Sequence, residues 1–209
     1  MKTIYVPVND LRPIDNFLSE LKLRVKSFNR IAITSTTQFK QQVNAIAKEL
    51  TGHEIIKCAP VLGCSELMVN ADCIVLITTG LFHAINLAVK NKIPVFIIGP
   101  EGINEVTQQV INDFLKKQSI RVSKVLDAKV IGVLASTKSG QNHEPLAKQI
   151  IAKLESLGKE AYLFIANELS PSQLNDFPVD AWINTACPRI VEDTFDKPIA
   201  NWNEVEKHL

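Results

Sequence analysis

The 209-residue chain has few cysteines, four in all, and no two of them stand as C-x-x-C. The gap of five residues between Cys58 and Cys64 is not a usual zinc-knuckle spacing, which argues against a structural zinc site. No apolar run reaches the ~18 residues that a membrane-spanning helix needs, so no membrane partner is expected. An excess of charge is missing too. The 23 Lys+Arg and 22 Asp+Glu leave a formal net charge of +1, which speaks against a polycationic binder, and no direct nucleic-acid binding is expected. There is no G-x-S-x-G elbow, no G-x-G-x-x-G fingerprint and no Walker sequence. The opening Met1 to Pro7 is too short and too interrupted for a signal peptide. A cytoplasmic protein is therefore expected, its cysteines present as thiols rather than disulfides.

What the sequence does hold is a regular alternation. Short branched-apolar runs at Thr3–Val8, Arg30–Ser35, Glu54–Lys57, Cys73–Ile77, Pro94–Ile98, Lys129–Ala135, Glu160–Ile165 and Ala181–Asn184 read as strands buried on both faces. Between them, Phe39–Leu50 places Val43, Ile46, Ala47 and Leu50 on one helical face. Glu144–Leu157 does the same with Leu146, Ile150, Leu154 and Leu157, and Gly158 is a natural stop. A polar helix is expected over Glu105–Lys117. Strand and helix in alternation predict an α/β fold with right-handed crossovers.

The pattern also repeats. Arg30 to Gln38 and Val130 to Gln141 each open a strand–turn–helix unit, and Ala71–Gly80 echoes Val179–Cys187. Two similar three-layer α/β units with parallel sheets, over residues 1–127 and 128–209, fit the length better than one sheet.

Ligands in open α/β sheets collect beyond the carboxyl ends of strands, and four loops there have unusual composition. In Pro60–Ser65, Gly63 lets the chain turn and present Cys64 outward, although a small residue packed beneath a turn fits the same string. In Thr78–His83, backbone amides at a helix start suit an anionic group and His83 sits on the first turn; a plain glycine turn fits as well. Ser136–Gln141 lacks the order of a phosphate loop, yet Lys138 and exposed amides could hold a carboxylate where a solvated turn would otherwise stand. In Thr185–Arg189, Pro188 fixes a cysteine at a strand end and Arg189 supplies a cation, which suits a metal or cluster ligand. Cys58 and Cys73 read as packing residues.

The string Asp180 to Arg189 (DAWINTACPR), with Asp193 shortly after it, resembles the C-terminal signature of the diphthamide-synthesis family. Further segments resemble it in the same order: Thr37–Gln38, Val61 to Cys64, Thr79 to His83, Ser136 to Gln141, Asn167 to Pro171, and Leu174 to Phe177. Together they span essentially the whole chain.

The resemblance implies enzymes of three similar α/β domains, each giving one cysteine to a 4Fe-4S cluster. In that family the cluster cleaves S-adenosylmethionine to a 3-amino-3-carboxypropyl radical. That group is transferred to a histidine carbon of translation elongation factor 2, the first step towards diphthamide. By the same resemblance, Cys64 and Cys187 correspond to the ligands of the middle and final domains. Thr79, Gly80, His83, Thr137, Lys138, Gly140 and Gln141 would line the cavity and hold the methionine part of S-adenosylmethionine. No catalytic side chain is assigned.

One departure matters. The two repeats resemble the second and third domains, and no cysteine precedes Lys57. Two thiolates hold a 4Fe-4S cluster poorly, since three or four protein ligands are the rule. This leaves three expectations: an enzyme split over two polypeptides, a subunit beside a full-length paralogue, or a non-catalytic scaffold docking elongation factor 2 or that paralogue.

Overall fold

The structure is a computed structural model that describes residues 4, 6, 8–62 and 67–209. It divides into two compact units, 1–113 and 114–209. The first unit holds α1 (Leu18–Val25), β1 (Arg30–Ser35), α2 (Gln42–Glu49), β2 (Glu54–Lys57), β3 (Cys73–Ile77), α3 (Leu81–Asn91), β4 (Val95–Gly99) and β5 (Gly102–Glu105) in that order, and α4 (Gln108–Asp127) begins there. The sheet order is β2-β1-β3-β4-β5; β1 to β4 run parallel and β5 pairs antiparallel with β4.

Alternation along β1 explains the layers. Ile31 and Ile33 join Leu21, Val25, Val43 and Ile46 on one face. Ala32 joins Ile74, Leu76, Ala84, Leu87 and Ala88 on the other. Each fully buried branched side chain contributes about 1.5–3 kcal/mol relative to exposure, so a strand covered by helices on both sides has no polar face.

The second unit holds β6 (Val130–Ser136), α5 (Glu144–Ser156), β7 (Glu160–Ala166), α6 (Pro171–Leu174), β8 (Ala181–Asn184), β9 (Ile199–Asn201) and α7 (Trp202–Val205). Its parallel sheet has the order β7-β6-β8-β9. That is the order of the first four strands of the other sheet, and the register repeats with it. Arg30 faces Glu54 as Val130 faces Glu160, Ile31 faces Cys73 as Ile131 faces Ala181, and Ile74 faces Val95 as Trp182 faces Ile199. Even the strand entries match. Asp72 accepts the backbone N–H groups of Asn29 and Arg30 at 2.9 and 2.8 Å, and Asp180 those of Lys129 and Val130 at 3.1 and 2.9 Å. The two similar α/β units read from the sequence are present.

Several expected elements differ. Thr3, Tyr5 and Pro7 of the expected first strand lie outside the described residues, while Ile4, Val6 and Val8 are exposed and belong to no strand. The helix expected over Glu105–Lys117 begins at Gln108 and continues to Asp127, because Val122 and Val125 return to a buried face. Its expected start is instead the end of the edge strand β5, which makes that sheet mixed rather than wholly parallel. The units divide inside α4: Val110 and Ile111 pack in the first unit's core, Val122 and Val125 in the second's. The boundary expected from the repeat, between 127 and 128, falls at the end of that helix instead.

Candidate functional site

In each sheet the central strand, β1 or β6, has the next strand in sequence on one side and the third on the other. The loops beyond the strand ends at that reversal form the natural ligand crevice.

In the first unit the crevice is rich in hydroxyls. Thr34 Oγ1 donates to the Ala59 carbonyl at 2.7 Å, Val61 N–H to the Ser35 carbonyl at 2.8 Å, and Thr36 N–H to the Ile77 carbonyl at 3.0 Å. The ends of β1 and β3 and the loop after β2 are thereby stitched together. Ser35 and Thr36 are buried, and their hydroxyls meet no hydrogen-bond partner among the described residues. Gly99 keeps the next strand close, since a Cβ there would stand 2.5 Å from the Thr78 carbonyl oxygen. Thr79 and Gly80 are exposed, and His83 is half-buried on the first turn of α3, edge-on to Phe82 at 5.6 Å between ring centres. Thr79 and Gly80 form the connection from β3, and His83 follows on the helix that it enters. Cys64, with Gly63, Ser65 and Glu66, lies outside the described residues. Thr37 and Gln38 line an open groove of about 940 Å³ with Val6, Val8 and Leu11.

In the second unit the loops after the neighbouring strands β6 and β8 bring two predicted groups to one sheet edge. Thr137, Lys138 and Gly140 are exposed and Gln141 half-buried. The Ser136 hydroxyl accepts Lys138 N–H at 3.1 Å, Gln141 N–H donates to the Lys138 carbonyl at 3.0 Å, and Gly140 has φ +77°. A left-handed backbone there favours glycine. Cys187 is half-buried and precedes the 3-10 turn Pro188–Glu192.

The Cys187 turn is tied from several directions. Asn184, the last residue of β8, is buried; its Nδ2 donates to the Cys187 carbonyl at 2.9 Å and to Asn201 Oδ1 at 2.8 Å. Its Oδ1 accepts Ala186 N–H at 3.0 Å. Asn201 caps α7 reciprocally with Glu204 and donates to the Pro188 carbonyl at 3.3 Å. Neither asparagine is among the site residues expected from the sequence. The signals for them are nonetheless present: Asn184 is the polar end of an otherwise apolar strand, and Asn201 stands three residues before Glu204, which is the spacing of a capping pair.

The cysteines differ chemically. Burial, with the Asp72 charge beside it, pushes the Cys73 thiol up to about 12, and burial also raises Cys58. Neither is poised as a thiolate. Among the described residues no three His, Cys, Asp or Glu side chains stand together as a metal site. Cys187 fits a cluster by donor type and by its place at a strand end, as one ligand of a set.

The family described as "Putative diphthamide synthesis protein" matches residues 1–209. A 2-(3-amino-3-carboxypropyl)histidine synthase from Pyrococcus horikoshii is 31% identical over 98% of this chain and 64% of its own length. One from Methanocaldococcus jannaschii is 30% identical over 100% of this chain and 62% of its own. The crystal structure of Dph2 from Pyrococcus horikoshii with a 4Fe-4S cluster superposes with a TM-score of 0.85 at 28% identity, covering 95% of this chain and 63% of that one. The chain thus spans a little under two thirds of these relatives.

Proposed function

The chain belongs to the diphthamide-synthesis protein family, and from that premise we propose that it is a component of a 2-(3-amino-3-carboxypropyl)histidine synthase. The reaction is 4Fe-4S-dependent cleavage of S-adenosylmethionine, with transfer of the 3-amino-3-carboxypropyl group to a histidine of translation elongation factor 2. The observation that carries this reading is the Cys187 turn, where a half-buried thiol stands at a strand end with its carbonyl pinned by Asn184.

Cys187 and Cys64 would hold the cluster. When bound, the cluster supplies the one-electron reduction that an unactivated imidazole carbon demands of its alkylating partner. The chain's own loops then bind and orient. The Lys138 ammonium and the exposed backbone beyond Ser136 suit the carboxylate of an amino-acid moiety. Thr79, Gly80 and His83, with Thr137, Gly140 and Gln141, would complete the contacts to S-adenosylmethionine. Because three or four ligands are the rule for such clusters, the third cysteine would come from outside these residues, on a separate first domain or a full-length paralogue.

The test is anaerobic co-expression with a first-domain polypeptide of the family. The complex is expected to gain iron, sulfide and visible absorbance, and to modify elongation factor 2. A complex that acquires none of these overturns the reading. Two thiolates alone hold such a cluster poorly, which favours one second reading, a scaffold that docks elongation factor 2 or a paralogue without redox chemistry. A Cys64→Ser, Cys187→Ser double variant separates the two. The scaffold keeps diphthamide formation intact, whereas the enzyme component loses it.

A further inference from the structure

The side chains around Cys187 do more than complete a strand end. Asn184 is 2% exposed and commits both amide hydrogens and its carbonyl: to the Cys187 carbonyl, to Asn201 Oδ1 and from Ala186 N–H. The Cys187 carbonyl also accepts Ile190 N–H at 3.0 Å. Asn201, 7% exposed, reaches the Pro188 carbonyl. At the far end of the same turn, Arg121 Nη1 donates to the Val191 carbonyl at 2.9 Å and to Glu192 at 3.2 Å. The turn is held at both ends, and none of these bonds uses the thiol.

The repeat supplies the control. Asn184 of β8 pairs with Leu134 as Leu76 of β3 pairs with Thr34, and Leu76 packs in an apolar core. The framework is therefore satisfied by an aliphatic side chain at this place. Burying an amide there costs desolvation unless each of its groups is bonded. All of the bonds it makes serve the cysteine turn and the cap behind it.

We propose that Asn184, backed by Asn201, is a positioning residue that sets the direction of the Cys187 thiol before any metal arrives. It acts through the backbone: fixing the Cys187 and Pro188 carbonyls fixes the Cα–Cβ bond that carries the sulfur. Outer partners of this kind change metal affinity by about 10–100-fold when removed. The inference rests on the reading of Cys187 as a ligand.

The first test needs no cluster. In the full chain, Asn184→Ile puts an aliphatic side chain where the other unit has the aliphatic Leu76. Its Cys187 should be alkylated by iodoacetamide several-fold faster than in the parent, with Cys73 unchanged as an internal standard. In the anaerobic complex with a first-domain polypeptide, iron retention against a chelator should fall by about 10–100-fold, and Asn184→Gln, which keeps the amide, should recover part of it. A folded Asn184→Ile chain with parental alkylation and iron retention overturns the proposal. If that variant does not fold, Asn201→Asp decides. It keeps the acceptors for Asn184 and for the helix N-terminus but loses the donor to Pro188 and to Glu204 Oε1, so a smaller shift in the same two readouts is expected, and no shift overturns the proposal. Cys187→Ser separates the two levels. If it keeps the parental iron, the ligand reading itself falls. If it loses iron while Asn184→Ile keeps it, the positioning role alone falls.

Discussion

The first unit covers one face of its sheet with the eleven-residue helix α3, whereas the second covers the matching face with a tryptophan. Ala32 and Ile74 of the one correspond in register to Gly132 and Trp182 of the other. Trp182 is fully buried, edge-on to Phe164 at 4.9 Å and to Phe177 at 6.4 Å between ring centres. It fits because position 132 has no side chain; a Cβ there would lie 2.2 Å from the ring. The difference separates two kinds of constraint. Strand order, register and the aspartate at each strand entry are shared, so they belong to the framework. The cover of a sheet face and the loop at a strand's end differ between the units, and that is where chemistry can be placed.

The comparison can be broken at its largest difference first. Trp182→Ala should destabilise the second unit by about 3–5 kcal/mol, seen as faster hydrogen exchange across β6 to β9; equal loss of protection across β1 to β4 would show that the units do not respond separately. Gly132→Ala should cost about 1–3 kcal/mol by overpacking. That penalty should largely vanish in combination with Trp182→Ala, because the two positions share one space. The reciprocal Ala32→Gly should cost roughly 0.5–1 kcal/mol. Additive costs at 132 and 182 in denaturant unfolding would contradict the contact.

Cys73→Ala installs the residue that the second unit has in the same register. It should cost about 1 kcal/mol for the lost sulfur contacts and leave iron retention untouched. In the parent chain at pH 8, Cys73 should resist alkylation, as a thiol held near 12 carries almost no thiolate.

The smallest expected effect concerns pH. Hydrogen bonds from the backbone of Val130 and Lys129 hold the Asp180 carboxyl below its ordinary 3.8. A depressed carboxyl contributes stability that is present above the unfolded value and lost as pH falls through the folded one. Asp180→Asn should therefore be less stable than the parent at pH 7. The gap should close only below 3.8, and a gap unchanged down to pH 2 would exclude this origin.

The parts of the fold legible in the sequence are those whose burial is symmetrical. β1, β3 and β8 are plain there because continuous branched runs suit strands covered on both faces. β5 and β9 are not legible: Gly-Ile-Asn-Glu and Ile-Ala-Asn are too short and too polar to give a period. The Lys-Lys-Gln-Ser stretch of α4 reads as a helix end, although Val122 and Val125 resume the buried face beyond it. At the site, Pro188 after Cys187 advertises a fixed cysteine. The amide that fixes it is hidden, because its partner Asn201 lies 17 residues away and only folding brings β8 and β9 side by side.

The shared register also makes the strand ends interchangeable addresses. Leu76 and Asn184 share one register position, so Thr79 and Cys187, each three residues further on, share another. Thr79 is exposed and already carries a branched side chain. A side chain is sterically welcome, so Thr79→Cys would graft a thiol onto the same address in the other sheet, with a helix behind it in place of a proline turn. A duplicated framework of this kind is a rack with matching slots, and a metal-binding group can be moved from one slot to the other without redesigning the strands that carry it.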